Sequence, residues 1–185
     1  MTSLWFGHGG AAHMLEHSKP SLYEIYERYS DFSDKGTRHT YISFYNTALA
    51  RYRNKRVTLV EVGVHLGGSL GMWSEYFDFG HIIGIDVCDT HVVPLSDRTE
   101  LIVGNACHIQ PFEADIVIDD GSHTLVDQLE VFVRFFPLVS IGGLYVIEDI
   151  QSDAAMDKLL SVHDFKVVDM RSDLAYDNVI LYTTK

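Results

Sequence analysis

The chain holds 185 residues, 46% hydrophobic and 22% charged, a composition ordinary for one soluble globular domain with a full core. Its formal net charge of −12 argues against a nucleic-acid partner, and no apolar run approaches the roughly 20 residues that span a bilayer. Cys88 and Cys107 are too few for a disulfide scaffold or a cysteine zinc site, and the N-terminus lacks a signal-peptide pattern, so cytoplasmic residence is expected.

Residues 1–20 carry Gly7, Gly9, Gly10 and the unevenly spaced His8, His13 and His17, which read as a loose segment that could serve as a lid. Ser21 and Glu24 form a capping box for a short helix. A polar loop, 31–38, leads into a second helix at 39–53, where Tyr41, Phe44, Tyr45, Ala48, Leu49 and Tyr52 share a face. The basic run Arg51–Arg56 reads as a solvated connector.

From residue 57 the pattern becomes strand, turn and helix repeated. Strands are predicted at 57–62, 81–86, 99–103, 116–119 and 144–147, with helices at 69–78, 124–136 and 153–162. Two late strands, 165–170 and 178–183, lack an intervening helix and should pair antiparallel. The expected fold is α/β and Rossmann-like: a mostly parallel seven-stranded sheet with an antiparallel C-terminal edge and helices on both faces. One domain is expected, with residues 1–54 as an N-terminal helical or lid segment and 55–185 as a nucleoside-binding core.

Open α/β sheets bind ligands outside the carboxyl ends of their strands. There the sequence places Asp119-Asp120-Gly121-Ser122-His123 after one apolar run and Glu148-Asp149 after another. Asp120, His123, Glu148 and Asp149, delivered together to that edge, would build an oxygen-ligand metal site beside a possible general base, with His123 in the first turn of the following helix. By alternation Asp119 should face away from Asp120. The loop Glu61-Val62-Gly63-Val64-His65-Leu66-Gly67-Gly68-Ser69 lacks the second glycine of a dinucleotide fingerprint, where His65 stands instead, so it suits a ligand without a pyrophosphate. Asp86 ends the next strand, placed to grip ribose hydroxyls.

These motifs, with Asp34-Lys35-Gly36, His39 and Tyr41, together resemble the class I S-adenosylmethionine-dependent methyltransferases. More narrowly they resemble the metal-dependent macrolide sugar O-methyltransferases of the mycinamicin and macrocin type, across about residues 31–150. The resemblance implies S-adenosylmethionine, Mg2+ and a small-molecule hydroxylated acceptor, a sugar of a natural product such as an antibiotic. By motif position it implies Asp120, Glu148 and Asp149 as metal ligands and His123 as catalytic base. Glu61, Gly63, His65, Gly67, Ser69, Asp86, Asn105 and Asp119 would be cofactor-binding residues. Asn105 stands where an acid is common, and Ile150-Gln151-Ser152-Asp153 departs from the family pattern that bears on the acceptor. The chain leaves no room for the extra N-terminal domain of some relatives and, being short, could complete its site as a homo-oligomer.

Asp34, Lys35, His39, Tyr41 and Tyr45 could close over the cofactor or acceptor, or simply pack against the domain. Trp73 and Tyr76 read as core. Two alternatives stay open: a catechol-type O-methyltransferase using the same metal, and a non-catalytic nucleoside-binding module. An NAD-dependent oxidoreductase is disfavoured by His65.

Overall fold

The computed structural model describes residues 19–171 and 175–185; the histidine-rich N-terminal segment expected as a lid lies almost wholly outside them. Seven strands form one sheet: β1 (Thr58–Val62), β2 (His81–Asp86), β3 (Thr99–Val103), β4 (Ala114–Asp119), β5 (Val139–Ile147), β6 (Lys166–Asp169) and β7 (Val179–Thr184). Their spatial order is β3-β2-β1-β4-β5-β7-β6. The first five pair in parallel, and β7 runs antiparallel to both β5 and β6. The antiparallel C-terminal pair is as expected. The last strand in sequence is second to last in space, which leaves β6 on the rim.

Period-two alternation divides the core between the two faces of the sheet. Leu59, Ile116, Ile118, Leu144 and Val146 face one side, where they meet α1 (Leu22–Tyr26), α2 (Ile42–Ala48) and α3 (Gly68–Tyr76). Val60, Val62, Val117, Tyr145 and Ile147 face the other, against α4 (Leu125–Phe135) and α5 (Asp153–Val162). Helix α3 buries residues all round, Trp73 and Tyr76 among them, because the N-terminal helices cover its outer side. The Ser21–Glu24 capping box forms as predicted.

Two elements differ from expectation. The helix predicted over 39–53 runs only from Ile42 to Ala48, followed by a 3-10 turn at Ala50–Tyr52. Its aromatic face is buried through Tyr41, Tyr45, Leu49 and Tyr52 all the same, so tertiary packing uses the pattern without continuous helix. Strand β5 begins five residues earlier than predicted, at Val139, with a register shift opposite Ala114 and Ile116. Gly142 there adopts φ +80, and a Cβ on Gly143 would lie 2.5 Å from the Asp115 carbonyl oxygen. These glycines interrupt the apolar pattern and admit the irregular pairing.

Candidate active site

The carboxyl ends of β1, β2, β4 and β5 align along one edge, since Val62 pairs with Ile85 and Asp119, and Asp119 with Ile147. Backbone bonds carry the ladder into the loops: Asp120 N–H donates to Val62 O at 2.8 Å and Glu148 N–H to Asp119 O at 2.9 Å. Above this edge lies a cleft of about 710 Å³ bordered by the 30s loop, the glycine loop, Asp120, His123 and Asp149. A smaller cavity of about 190 Å³, lined by Asn105, Cys107 and Asp119, joins it at Gly63, Asp86 and Gly121.

Asp86 organises the glycine loop. Its Oδ2 accepts from the N–H groups of Val64 at 2.7 Å and His65 at 3.1 Å, and its Oδ1 from Cys88 N–H at 3.2 Å. Burial alone would raise its pKa, but these backbone donors outweigh it and hold the carboxyl below its usual value. Ser69 Oγ donates to Glu61 Oε2 at 2.7 Å, and Trp73 Nε1 to the same oxygen at 3.2 Å. Glu61 is fully buried and, like Gly67 at φ +84, lines neither cavity; both brace the loop from behind. Gly63, His65, Ser69, Asp86, Asn105 and Asp119 do line the cavities.

Asp119 and Asp120 open onto different spaces. Asp119 borders the smaller cavity with Oδ2 unpartnered, and burial pushes its carboxyl up to about 8. Asp120 borders the large cleft, where one ligand atom each from Asp120, His123 and Asp149 lies within 4.8 Å of the others. Tyr41 OH donates to Asp149 Oδ1 at 2.5 Å, and His123 Nε2 lies 3.7 Å from Asp149 Oδ2. Hard carboxylate oxygens beside an open cleft fit a divalent cation that keeps positions for other ligands. Burial, with Asp120 close by, raises the Asp149 pKa, as expected of carboxylates crowded together.

Glu148 stands apart from that trio. Both its oxygens lie 2.8 Å from Lys35 Nζ, and Tyr45 OH donates to Oε1. Lys35 Nζ also reaches Asp120 Oδ2 at 2.7 Å and Glu61 Oε1 at 3.3 Å. Burial opposes the lysine's charge, yet Asp120, Glu148 and Glu61 together hold its pKa well above the ordinary value. His39, stacked on Tyr41, sits between Asp34 at 3.5 Å and both Asp149 and Asp177 at 3.4 Å. The side-chain bond from His39 draws the Asp34 carboxyl down to about 2.

His65, His123 and Asp149 all border the cleft at left-handed φ values of 50°, 57° and 55°. Non-glycine residues there carry backbone strain, which concentrates at functional sites. One expectation is corrected by this geometry. His123 is not in the first turn of α4: Thr124 is the N-cap, its side chain accepting from Asp127 N–H, and the histidine precedes it on the turn.

No protein-family model matches the chain. The mycinamicin VI 2''-O-methyltransferase of Micromonospora griseorubida is 41% identical over 148 residues, 71% of this chain and 36% of that protein. The 8-demethyl-8-alpha-L-rhamnosyl tetracenomycin-C 2'-O-methyltransferase of Streptomyces olivaceus is 40% identical over 137 residues, 65% of this chain and 35% of its own. Among solved structures, the MycE methyltransferase of the mycinamycin biosynthetic pathway, in complex with Mg, SAH and mycinamycin VI, superposes with TM-score 0.68 at 30% identity. That match covers 89% of this chain and 54% of MycE. The chain resembles these sugar O-methyltransferases and has the class I methyltransferase fold. A more distant structure, the SAH-bound Podospora anserina methyltransferase PaMTH1, shares the fold at TM-score 0.58 and 13% identity, covering 88% of this chain and 86% of that one. The chain spans about a third of the length of the curated relatives it matches, at 35% and 36% of the two named above.

Within this methyltransferase fold, the sequence singled out the strand-end acids and, in Lys35, His39, Tyr41 and Tyr45, groups that contact them, without pairing the two sets. Asp177 and Gln128 were missed: Asp177 Oδ2 accepts from Gln151 at 3.2 Å, and Gln128 donates to the Glu148 carbonyl at 3.1 Å. Asp177 lies in a loop without periodicity and carried no signal. Tyr41 and Tyr45, four residues apart, did carry one, because two hydroxyls on one apolar face need buried acceptors.

Proposed function

We propose that this chain is an S-adenosylmethionine-dependent, Mg2+-dependent O-methyltransferase acting on a hydroxyl of a small molecule, a sugar moiety of a natural product. The observation that carries the reading is the meeting of Asp120, His123 and Asp149 in one cleft with a glycine loop held by Asp86. The names of its relatives support the same chemistry. Gly63, His65, Ser69, Asp86, Asn105 and Asp119 would surround the cofactor, with Glu61 and Gly67 behind them. Asp120, Glu148 and Asp149 would hold magnesium. When bound, these groups supply an activated methyl and a Lewis acid that stabilises negative charge on the acceptor oxygen.

The chain's own residues do the rest. His123 takes the hydroxyl proton at Nε2, which lies 3.7 Å from Asp149 Oδ2. Tyr41 orients Asp149 from the far side. The left-handed turn at His123 presents the imidazole to the cleft while leaving the N-terminus of α4 to Thr124. The net charge of −12 and two free cysteines support a cytosolic enzyme without a nucleic-acid partner.

Labelled cofactor offered with a panel of sugars and catechols tests the reading. Methyl transfer to a glycoside that chelator abolishes and magnesium restores is the expected result; transfer to catechols alone, or none under any metal, overturns it. His123→Ala should lower turnover about 10²–10⁴-fold while S-adenosylmethionine affinity stays near that of the parent.

A further inference from the structure

The buried ammonium of Lys35 has no part in the proposed chemistry, which asks the same carboxylates to hold a dication. It descends from the loop between α1 and α2 and is 1% exposed. Its Nζ bridges Asp120 Oδ2 at 2.7 Å and both Glu148 oxygens at 2.8 Å. Those contacts span 85 and 113 residues of chain, so they tie the loop to the strand ends. The loop is seated nearby as well: a Cβ on Gly68 would lie 2.4 Å from the Phe32 carbonyl oxygen, and one on Gly36 2.5 Å from the Tyr26 ring. The lysine can therefore retreat only if the loop moves or its four-carbon stem refolds.

We propose that Lys35 is a positioning residue that opposes the divalent ion, occupying the shared face of Asp120 and Glu148 so that metal binds only against its charge. This rests on the reading of Asp120, Glu148 and Asp149 as the metal's ligands. A dication and an ammonium sharing one carboxylate repel each other at close range, and in a buried site that repulsion is worth more than about a tenfold change in affinity. The alternative is a scaffold lysine that merely aligns the carboxylates. The two roles predict opposite signs: loss of a scaffold loosens the ligands and weakens metal binding, whereas loss of an opposing charge tightens it.

Calorimetric titration of Mg2+ into the full chain decides between them, using wild type, Lys35→Met, Glu148→Gln and the double variant, with thermal unfolding with and without Mg2+ as a second reading. Lys35→Met should bind Mg2+ about tenfold or more tightly than wild type and gain more thermal stability on adding it. Equal or weaker affinity overturns the proposal. Should Lys35→Met fail to fold, the comparison passes to the double variant, which removes one positive and one negative charge together. It should bind more tightly than Glu148→Gln alone, and parity there overturns the proposal equally. Magnesium binding by wild type that Lys35→Met leaves unmoved sinks only the role of Lys35. No binding by any form at millimolar magnesium sinks the metal reading with it.

Discussion

Burial pushes the Asp119 carboxyl up to about 8, while the same group in the unfolded chain titrates near its ordinary value of about 4. Between those values the folded chain keeps a proton that the unfolded chain has released. Raising the pH through that window therefore favours unfolding, and the contribution to stability present below about pH 4 is lost by about pH 8. Asp119→Asn keeps the shape of the side chain and removes the titration. Denaturant unfolding of the metal-free protein should show a shallower fall in stability from pH 5 to pH 8 in this variant. An unchanged slope would assign the pH dependence to other groups. Adjacent Asp120, partly exposed and paired with Lys35, adds its charge to the burial that raises Asp119.

At the scale of elements, the glycine loop after β1 and the acidic loop after β4 interlock through backbone. A Cβ at Gly63 would stand 1.9 Å from the Asp120 carbonyl oxygen, and Gly63 adopts φ +86. Gly63→Ala thus meets a steric collision and an unfavourable backbone at once, and should destabilise the fold by about 3 kcal/mol or more. Chemical denaturation would measure it, with loss of cofactor binding in whatever fraction remains folded. The glycine was legible in the sequence as a ligand-binding feature. Its equally strict duty of making room for the acidic loop after β4 was not, because the contact joins residues nearly sixty apart. The helix predicted over 39–53 fails for a related reason: periodicity reports which face is buried, whereas backbone continuity depends on what the neighbouring elements allow.

For the whole molecule, β7 is the strand that holds the C-terminal half of the sheet together. It pairs with β5 on one side and β6 on the other, and buries Val179, Ile180 and Leu181. Removing residues 179–185 would expose the edge of β5 and leave β6 without a partner. The truncated chain should be insoluble or molten by circular dichroism and dye binding, with all site chemistry lost; a folded, cofactor-binding truncation would contradict this account. The N-terminal helices pack on one face with β1, α3 and Ile180 of β7, and Lys35 is buried in the loop between them.

The alternation of strand and helix, the antiparallel C-terminal pair, the glycine loop with Asp86 after the second strand and the acids at the ends of β4 and β5 are all legible in the amino-acid order. Those features follow from local periodicity, chain punctuation and the rule that parallel strands present their carboxyl ends together. Three features come from the folded arrangement alone: β7 lies inside β6, His123 stands before its helix on a strained turn, and Glu148 turns toward Lys35 and Tyr45. Each depends on contacts between residues far apart in sequence, where burial leaves a charged or hydroxyl group no partner but the one the fold brings to it.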